Sequence, residues 1–206
     1  MTIKEIIRED LFAIPIWHFD THEDIDFDLV KKECNQIKIN DLGRVESNLN
    51  GYQSNNIELN NYKEIEKLMS FIMAQSYVIL SHSKVNEKLP LALQECWLNI
   101  NGKESKNLKH SHGNALLSGV VYIDVPENSG NIRFYSQLNN SYYYKSYYSS
   151  DSEFLHQYIS YKPINKKVII FQSHLEHDVE ENVTNKERYS IAFNIGISFL
   201  KKENKL

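Results

Sequence analysis

The sequence predicts a mixed α+β protein, mainly β, in which a helical front half supports an antiparallel β back half. Three observations predict it. From about Asp24 to Ile39, and again from Tyr62 to about Ser83, apolar residues recur at helical spacing. After Pro90, short runs of β-branched and aromatic residues follow one another with turn signals between them. The 13 tyrosines belong to an aromatic content of 12%, which favours pleated strands over a helical bundle. At 206 residues the chain fits one domain with a sizeable core, its supporting helices over about residues 1–90 and its β core over about 91–200.

Taken in order, Leu11–Phe19 is apolar and interrupted by Pro15, which reads as an edge strand. From about Asp24 to Ile39, Ile25, Leu29, Val30, Cys34 and Ile37 fall on one helical face. Asn40–Asn61 is rich in Asn, Gly and Ser and reads as loop with a short strand. Tyr62 to about Ser83 is the clearest helix, with a stripe of Ile65, Leu68, Met69, Ile72, Met73 and Val78. Strand-like runs follow at Ala92–Ile100, Leu116–Asp124, Gly130–Tyr135, Lys167–Phe171 and Arg188–Phe199. Turn signals separate them at Asn101-Gly102, Pro126–Gly130 and Asn182–Asn185. Asn139–Asp151, full of Tyr, Ser and Asn, reads as a surface loop, and Lys201–Leu206 as a frayed tail.

Bulk chemistry narrows the function. A net charge of −4 gives no electrostatic reason for nucleic acid or an anionic membrane as partner. The N-terminus is too charged for a secretory leader, and no window has the apolar length of a membrane span. Cys34 and Cys96 sit in unrelated contexts, as expected of reduced thiols in a cytoplasmic protein.

The chemistry concentrates in His110-Ser111-His112, His177 and Arg188. Residues two apart in an extended strand share a face, so the first two imidazoles can converge on one point. Three neutral imidazoles can hold a borderline divalent metal such as iron. An arginine beside them can grip a carboxylate in a fork. His18, His22, His82 and His156 stand alone and read as ordinary packed or surface residues. His174, offset by three from His177, reads as a surface or rim residue.

The order of these motifs resembles the 2-oxoglutarate- and Fe(II)-dependent oxygenases. More narrowly, the run from His110 to Tyr122 resembles a subfamily with HxH, a small-residue turn and an SG-aliphatic strand. The likeness continues through Ser129–Phe134, Val168–Phe171, Ser173 and His177-Asp178-Val179, and closes on Arg188–Asn194. It covers residues 90–199, with weaker echoes at Leu11–Trp17 and Gly51–Ser54. What the resemblance implies is a double-stranded β-helix, jelly-roll or cupin-like, with supporting N-terminal helices.

By the same resemblance, His110 and His177 take the places of the first and distal metal ligands. Arg188, eleven residues after His177, takes that of the arginine holding the far carboxylate of 2-oxoglutarate, with Ser190 completing R-x-S. Asn99 and Asn101 fall near the co-substrate, and Tyr122 can offer a hydroxyl there. The chain departs from the pattern at position 112, where a carboxylate is usual. Either His112 is the third ligand, or His110 and His177 bind alone with waters, or Asp178 or Glu176 swings in.

The implied activity is hydroxylation of a small molecule or peptide, with Fe(II) as cofactor, 2-oxoglutarate and O2 as co-substrates, and succinate and CO2 as by-products. No catalytic residue is implied beyond the ligands. The alternatives are a three-histidine dioxygenase without the keto acid, with Arg188 on the substrate's own carboxylate, or a non-catalytic cupin-like binding protein. The tyrosines of Tyr142–Tyr148 suit a packed loop or a homodimer surface.

Overall fold

The structure is a computed structural model that describes residues 13–83, 90–137 and 156–198. The tyrosine-rich loop, the charged tail and the ends of the first and last expected strands lie outside these residues. In chain order the elements are β1 (Ile16–Asp20), α1 (Phe27–Asn40), β2 (Asn48–Leu49), β3 (Tyr52–Gln53), a 3-10 turn at Leu59–Asn61, and α2 (Lys63–His82). There follow β4 (Leu91–Asn101), β5 (Lys106–His110), β6 (Leu117–Asp124), β7 (Ile132–Tyr135) and β8 (Tyr158–Tyr161). The last three are β9 (Lys167–Gln172), β10 (His177–Val179) and β11 (Arg188–Ile197).

The strands form two antiparallel sheets. One runs β1-β9-β6-β11-β4-β3 and the other β2-β5-β10-β7-β8. From β4 to β11 the chain changes sheet at every step except between β7 and β8, which are neighbours in the second. That alternation winds a double-stranded β-helix, the fold the resemblance implied. β1 lies at the outer edge of the larger sheet beside β9, as the proline at position 15 suggested.

Strand alternation divides the larger sheet into two faces. Cys96, Leu98 and Ile100 of β4 join Val121, Ile123, Val168, Ile170, Ile191, Phe193 and Ile195 in one core against the helices. The opposite face meets the smaller sheet through Val120, Tyr122, Ile132, Phe134, Ile169, Phe171 and Leu175. Trp97, Asn99, Arg188 and Ser190 share that inner face and line the space between the sheets.

The helices are anchored by specific caps. Asp26 accepts hydrogen bonds from the backbone N–H groups of Asp28 and Leu29, at 3.0 and 3.1 Å, and so opens α1. The N-terminus of α2 has no cap of its own. The carboxylate of Glu33, on α1, accepts from the N–H groups of Glu64 and Ile65 instead, at 3.1 and 2.9 Å. The expected stripe of α2 is corrected near its end: Val78 is exposed, while Ser76, Ile79 and Leu80 are buried. Leu29 of α1 likewise faces out. β5 stands where an extended segment was expected to carry the histidine pair; β8 and β10 were not expected from sequence, and Asn40–Asn61 holds two short strands, β2 and β3, where one was expected.

Gly119, in β6, lets the Phe193 ring cross the sheet. A Cβ there would stand 2.4 Å from the tip of that ring and 2.7 Å from the Ile169 carbonyl oxygen. Gly119→Ala is therefore expected to destabilise the protein by about 2 kcal/mol or more, the scale of core overpacking. Gly102→Ala, where a Cβ meets nothing within 4 Å, is expected to stay within about 1 kcal/mol of wild type. Urea unfolding of both variants checks the contrast.

Candidate active site

The smaller sheet brings the distant histidines together. In the antiparallel β5–β10 pair, His177 stands directly opposite His110. Their ring centroids are 4.4 Å apart, and those of His112 lie 5.0 and 5.2 Å from His110 and His177. One nitrogen from each ring lies within 4.8 Å of the others, close enough to hold a single divalent ion. Their convergence comes about differently from the expectation, because β5 ends at His110. His112 is held past the strand end by its backbone N–H, which donates to the Ser173 carbonyl at 2.8 Å.

Two of the rings are oriented by the same device. His110 Nδ1 lies 2.6 Å from the carbonyl oxygen of Leu108, and His177 Nδ1 lies 2.9 Å from that of Leu175. A carbonyl only accepts, so each Nδ1 carries the proton and each Nε2 keeps a free lone pair. Leu108-Lys109-His110 and Leu175-Glu176-His177 thus use the same local bond, from a histidine ring to the carbonyl two residues before it. On their outward side Lys109 and Glu176 form an ion pair at 2.9 Å.

Burial, with the neighbouring His110 second, lowers the pKa of His177 to about 3, and the same two causes in the same order lower that of His112 to about 4. Both rings are therefore neutral at physiological pH, the form a metal needs. Phe171 and Phe134 pack against His177, with centroids 4.7 and 6.1 Å away. Trp97 stands 5.8 Å from the His112 ring.

The acidic groups near the triad are committed elsewhere. Asp178 accepts from Arg133 Nε and Nη2 at 2.8 and 2.5 Å and from the Tyr135 hydroxyl at 2.7 Å. With Glu176 bound to Lys109, neither carboxylate is free to replace His112. His18, His22, His82, His156 and His174 are all exposed, each apart from the triad.

The pocket continues inward to Arg188, past Asn99, Tyr122 and Ser190. Arg188 is only 2% exposed. Its Nη1 donates to the carbonyls of Ser129 and Gly130, at 2.6 and 2.9 Å, while its Nε is buried with no partner. Among the described residues no carboxylate pairs with it: burial lowers its pKa, and Tyr122 is what opposes that effect. A buried guanidinium without a counter-ion is costly, and a ligand carboxylate would relieve it. Burial raises Tyr122 to about 12, so its hydroxyl keeps its proton.

Ser190 pairs across the sheet with Asn99, and Arg188 with Asn101. Asn99 leaves its Oδ1 buried and unpartnered. Asn101 does not line the pocket. Its Nδ2 donates to Asn107 Oδ1 at 3.3 Å, and its carbonyl accepts from Asn182. Trp97, Ser47, Asn107 and the carbonyls of Leu108, Leu175, Ser129 and Gly130 are site components that sequence reasoning missed. The repeated Leu-charged-His tripeptide was a signal for two of them.

Residues 95–194 match the family model described as "Putative 2OG-Fe(II) oxygenase". The match runs from β4 into β11, so the β core is similar to this family. Fe(II) and 2-oxoglutarate are the cofactor and co-substrate of these oxygenases. No curated protein matches the chain. Among solved structures, the fold is similar to a prolyl-4-hydroxylase from Pseudomonas putida, with 14% identity, 90% of this chain and 95% of that one covered, and a TM-score of 0.61. It is also similar to a Trichoplax adhaerens prolyl hydroxylase in complex with a hypoxia inducible factor peptide, with 12% identity, coverage of 88% and 83%, and a TM-score of 0.62. A third is HygX from Streptomyces hygroscopicus, with nickel and 2-oxoglutarate bound, with 12% identity, coverage of 91% and 84%, and a TM-score of 0.60. Among the described residues, no helix of the protein is long and apolar enough to cross a membrane.

The lowered histidine pKa values have a sign. Unfolded imidazoles titrate near 6.5, so acid protonates the unfolded chain first. The stability held by neutral His112 and His177 is complete above about pH 6.5 and is lost as pH falls towards the folded values. Between pH 7.5 and 5 the metal-free protein is expected to lose on the order of 2 kcal/mol from His177 alone. Urea midpoints at the two pH values check this, and most of the loss should vanish in a His112→Gln, His177→Gln double variant.

Proposed function

We propose that the protein is an Fe(II)- and 2-oxoglutarate-dependent hydroxylase of a small molecule or peptide, with all three histidines as metal ligands. One observation carries the reading: a single pocket holds three converging imidazoles and, deeper in, a buried guanidinium that no acid among the described residues pairs. The donors fit both cofactors. Neutral imidazoles suit Fe(II), and the orphaned Arg188 suits the far carboxylate of a keto diacid.

In this reading His110 and His177 present Nε2 to the metal, their tautomers set by the Leu108 and Leu175 carbonyls. His112 stands where a carboxylate is usual and contributes no negative charge. Arg188, with Ser190 beside it, grips the distal carboxylate, and the Ser129 and Gly130 carbonyls keep its fork in place. Tyr122 and Asn99 flank the bound acid with a hydroxyl and an amide, while Asn101 braces Asn107 from behind. Phe134 and Phe171 keep water from the His177 side. When bound, Fe(II) and 2-oxoglutarate together activate O2, so that one oxygen atom enters a substrate C–H bond and the other enters succinate as CO2 leaves. The helices and the β core act as one domain, the helices stiffening the sheet that carries Arg188.

Anaerobic addition of Fe(II) and 2-oxoglutarate is expected to give a visible charge-transfer band; its absence overturns the proposal. His110→Ala or His177→Ala should each abolish stoichiometric iron, measured by metal analysis after desalting. Arg188→Ala should weaken 2-oxoglutarate binding roughly 100-fold, the scale of a buried charge contact, with iron affinity within a few-fold of wild type. Equal losses of both would make Arg188 a structural residue only.

A further inference from the structure

A second cleft, of about 530 Å3, opens outward from the histidines and shares Ser47, Trp97, His110 and His112 with the inner pocket. Its walls hold polar groups that the fold leaves unused. The Arg44 guanidinium lies over Trp97, with its carbon 5.6 Å from the ring centroid. Among the described residues no carboxylate pairs with it, and its Nε is buried without a partner. Gln53 is 3% exposed, and its Oε1 also lacks a partner. The Arg44 N–H donates to the Gln53 carbonyl at 2.8 Å, so the two residues are fixed side by side.

Negative charge lines the same cleft. Glu95 precedes Trp97 by two residues on β4 and shares its face. Among the described residues no cation pairs with Glu95, whose carboxylate has only a 3.4 Å contact from the Asn194 amide. Glu46, exposed, adds a second carboxylate to the rim.

We infer that this cleft binds a free amino acid, or a close zwitterionic relative, as the substrate of the neighbouring centre. Its carboxylate meets the planar fork of Arg44, its ammonium meets Glu95 and Glu46, and its side chain crosses Trp97 towards His112. The donors of Arg44 match a carboxylate bidentately, and stacking on the indole holds the fork in one orientation. Gln53 Oε1 accepts from the ammonium or from a side-chain donor. The cleft volume lies within the usual range for small-molecule sites. The inference deepens the oxygenase reading and rests on it for what happens to the bound molecule.

The test is calorimetric titration of the full chain with each of the twenty free amino acids, with and without Ni(II) and 2-oxoglutarate. At least one is expected to bind. Its methyl ester and its N-acetyl derivative should each bind at least 10-fold more weakly. Arg44→Gln should weaken the free amino acid at least 10-fold, and Glu95→Gln at least 3-fold, while the Fe(II)/2-oxoglutarate band is unchanged. Because the ligand derivatives leave the protein untouched, they decide the matter even if a variant misfolds. No binding by any amino acid, equal binding of the derivatives, or indifference to Arg44→Gln overturns the inference. Binding that depends on Arg44 in a protein that forms no band would uphold the cleft and overturn the oxygenase reading. A band without amino-acid binding does the reverse.

Discussion

The pairing of β5 with β10 is the constraint on which the site depends. It sets His110 against His177, residues far apart along the chain, just before the register of the two strands shifts. A slip of one residue would turn every side chain of a strand to the other face. Lys109 and Glu176 would then point inward, and the histidines outward. The ion pair between those two residues is solvent-accessible and adds little stability. Its value lies in register, since opposite charges meet only when the imidazoles do.

Around that pairing the fold separates an apolar economy from a polar one. The helix-facing side of the larger sheet is filled with aliphatic side chains and holds the molecule together. The inner side carries a guanidinium and two asparagines whose needs are only partly met. A fold optimised for stability alone would not bury Arg188 without an acid. The unmet polar groups occur where a ligand would complete them, and the filled aliphatic layer behind them supplies the offsetting stability.

Sequence reasoning saw what strand alternation and burial write into composition. β4, β6, β9 and β11 are long and apolar, and their runs were legible. β5, with Lys106-Asn107-Leu108-Lys109-His110, has no apolar alternation, because one side faces the site and the other faces water. β10 is three residues long, and β8 is exposed along most of its length. On α2, Val78 looked like the end of the stripe. The helix phase instead buries Ser76, whose hydroxyl satisfies itself on the Ile72 carbonyl at 2.8 Å. His112 does lie beside the other two imidazoles, though a backbone bond beyond the strand end does what strand parity was expected to do. Backbone acceptors such as Leu175 and Gly130 carry no side-chain signal, and Trp97 differs from a core residue only in what lies above it.

The turn before β7 shows how a dimension can be set by main chain. Gly130 adopts a φ of +91°, and a Cβ there would meet the Glu180 carbonyl oxygen at 2.2 Å. Only glycine fits, and its own carbonyl helps to pin Arg188. The floor of the inner pocket is the Arg188 guanidinium, whose position is set by peptide backbone. Side-chain drift around the mouth can retune what enters there, but the floor itself moves only if the chain is rebuilt.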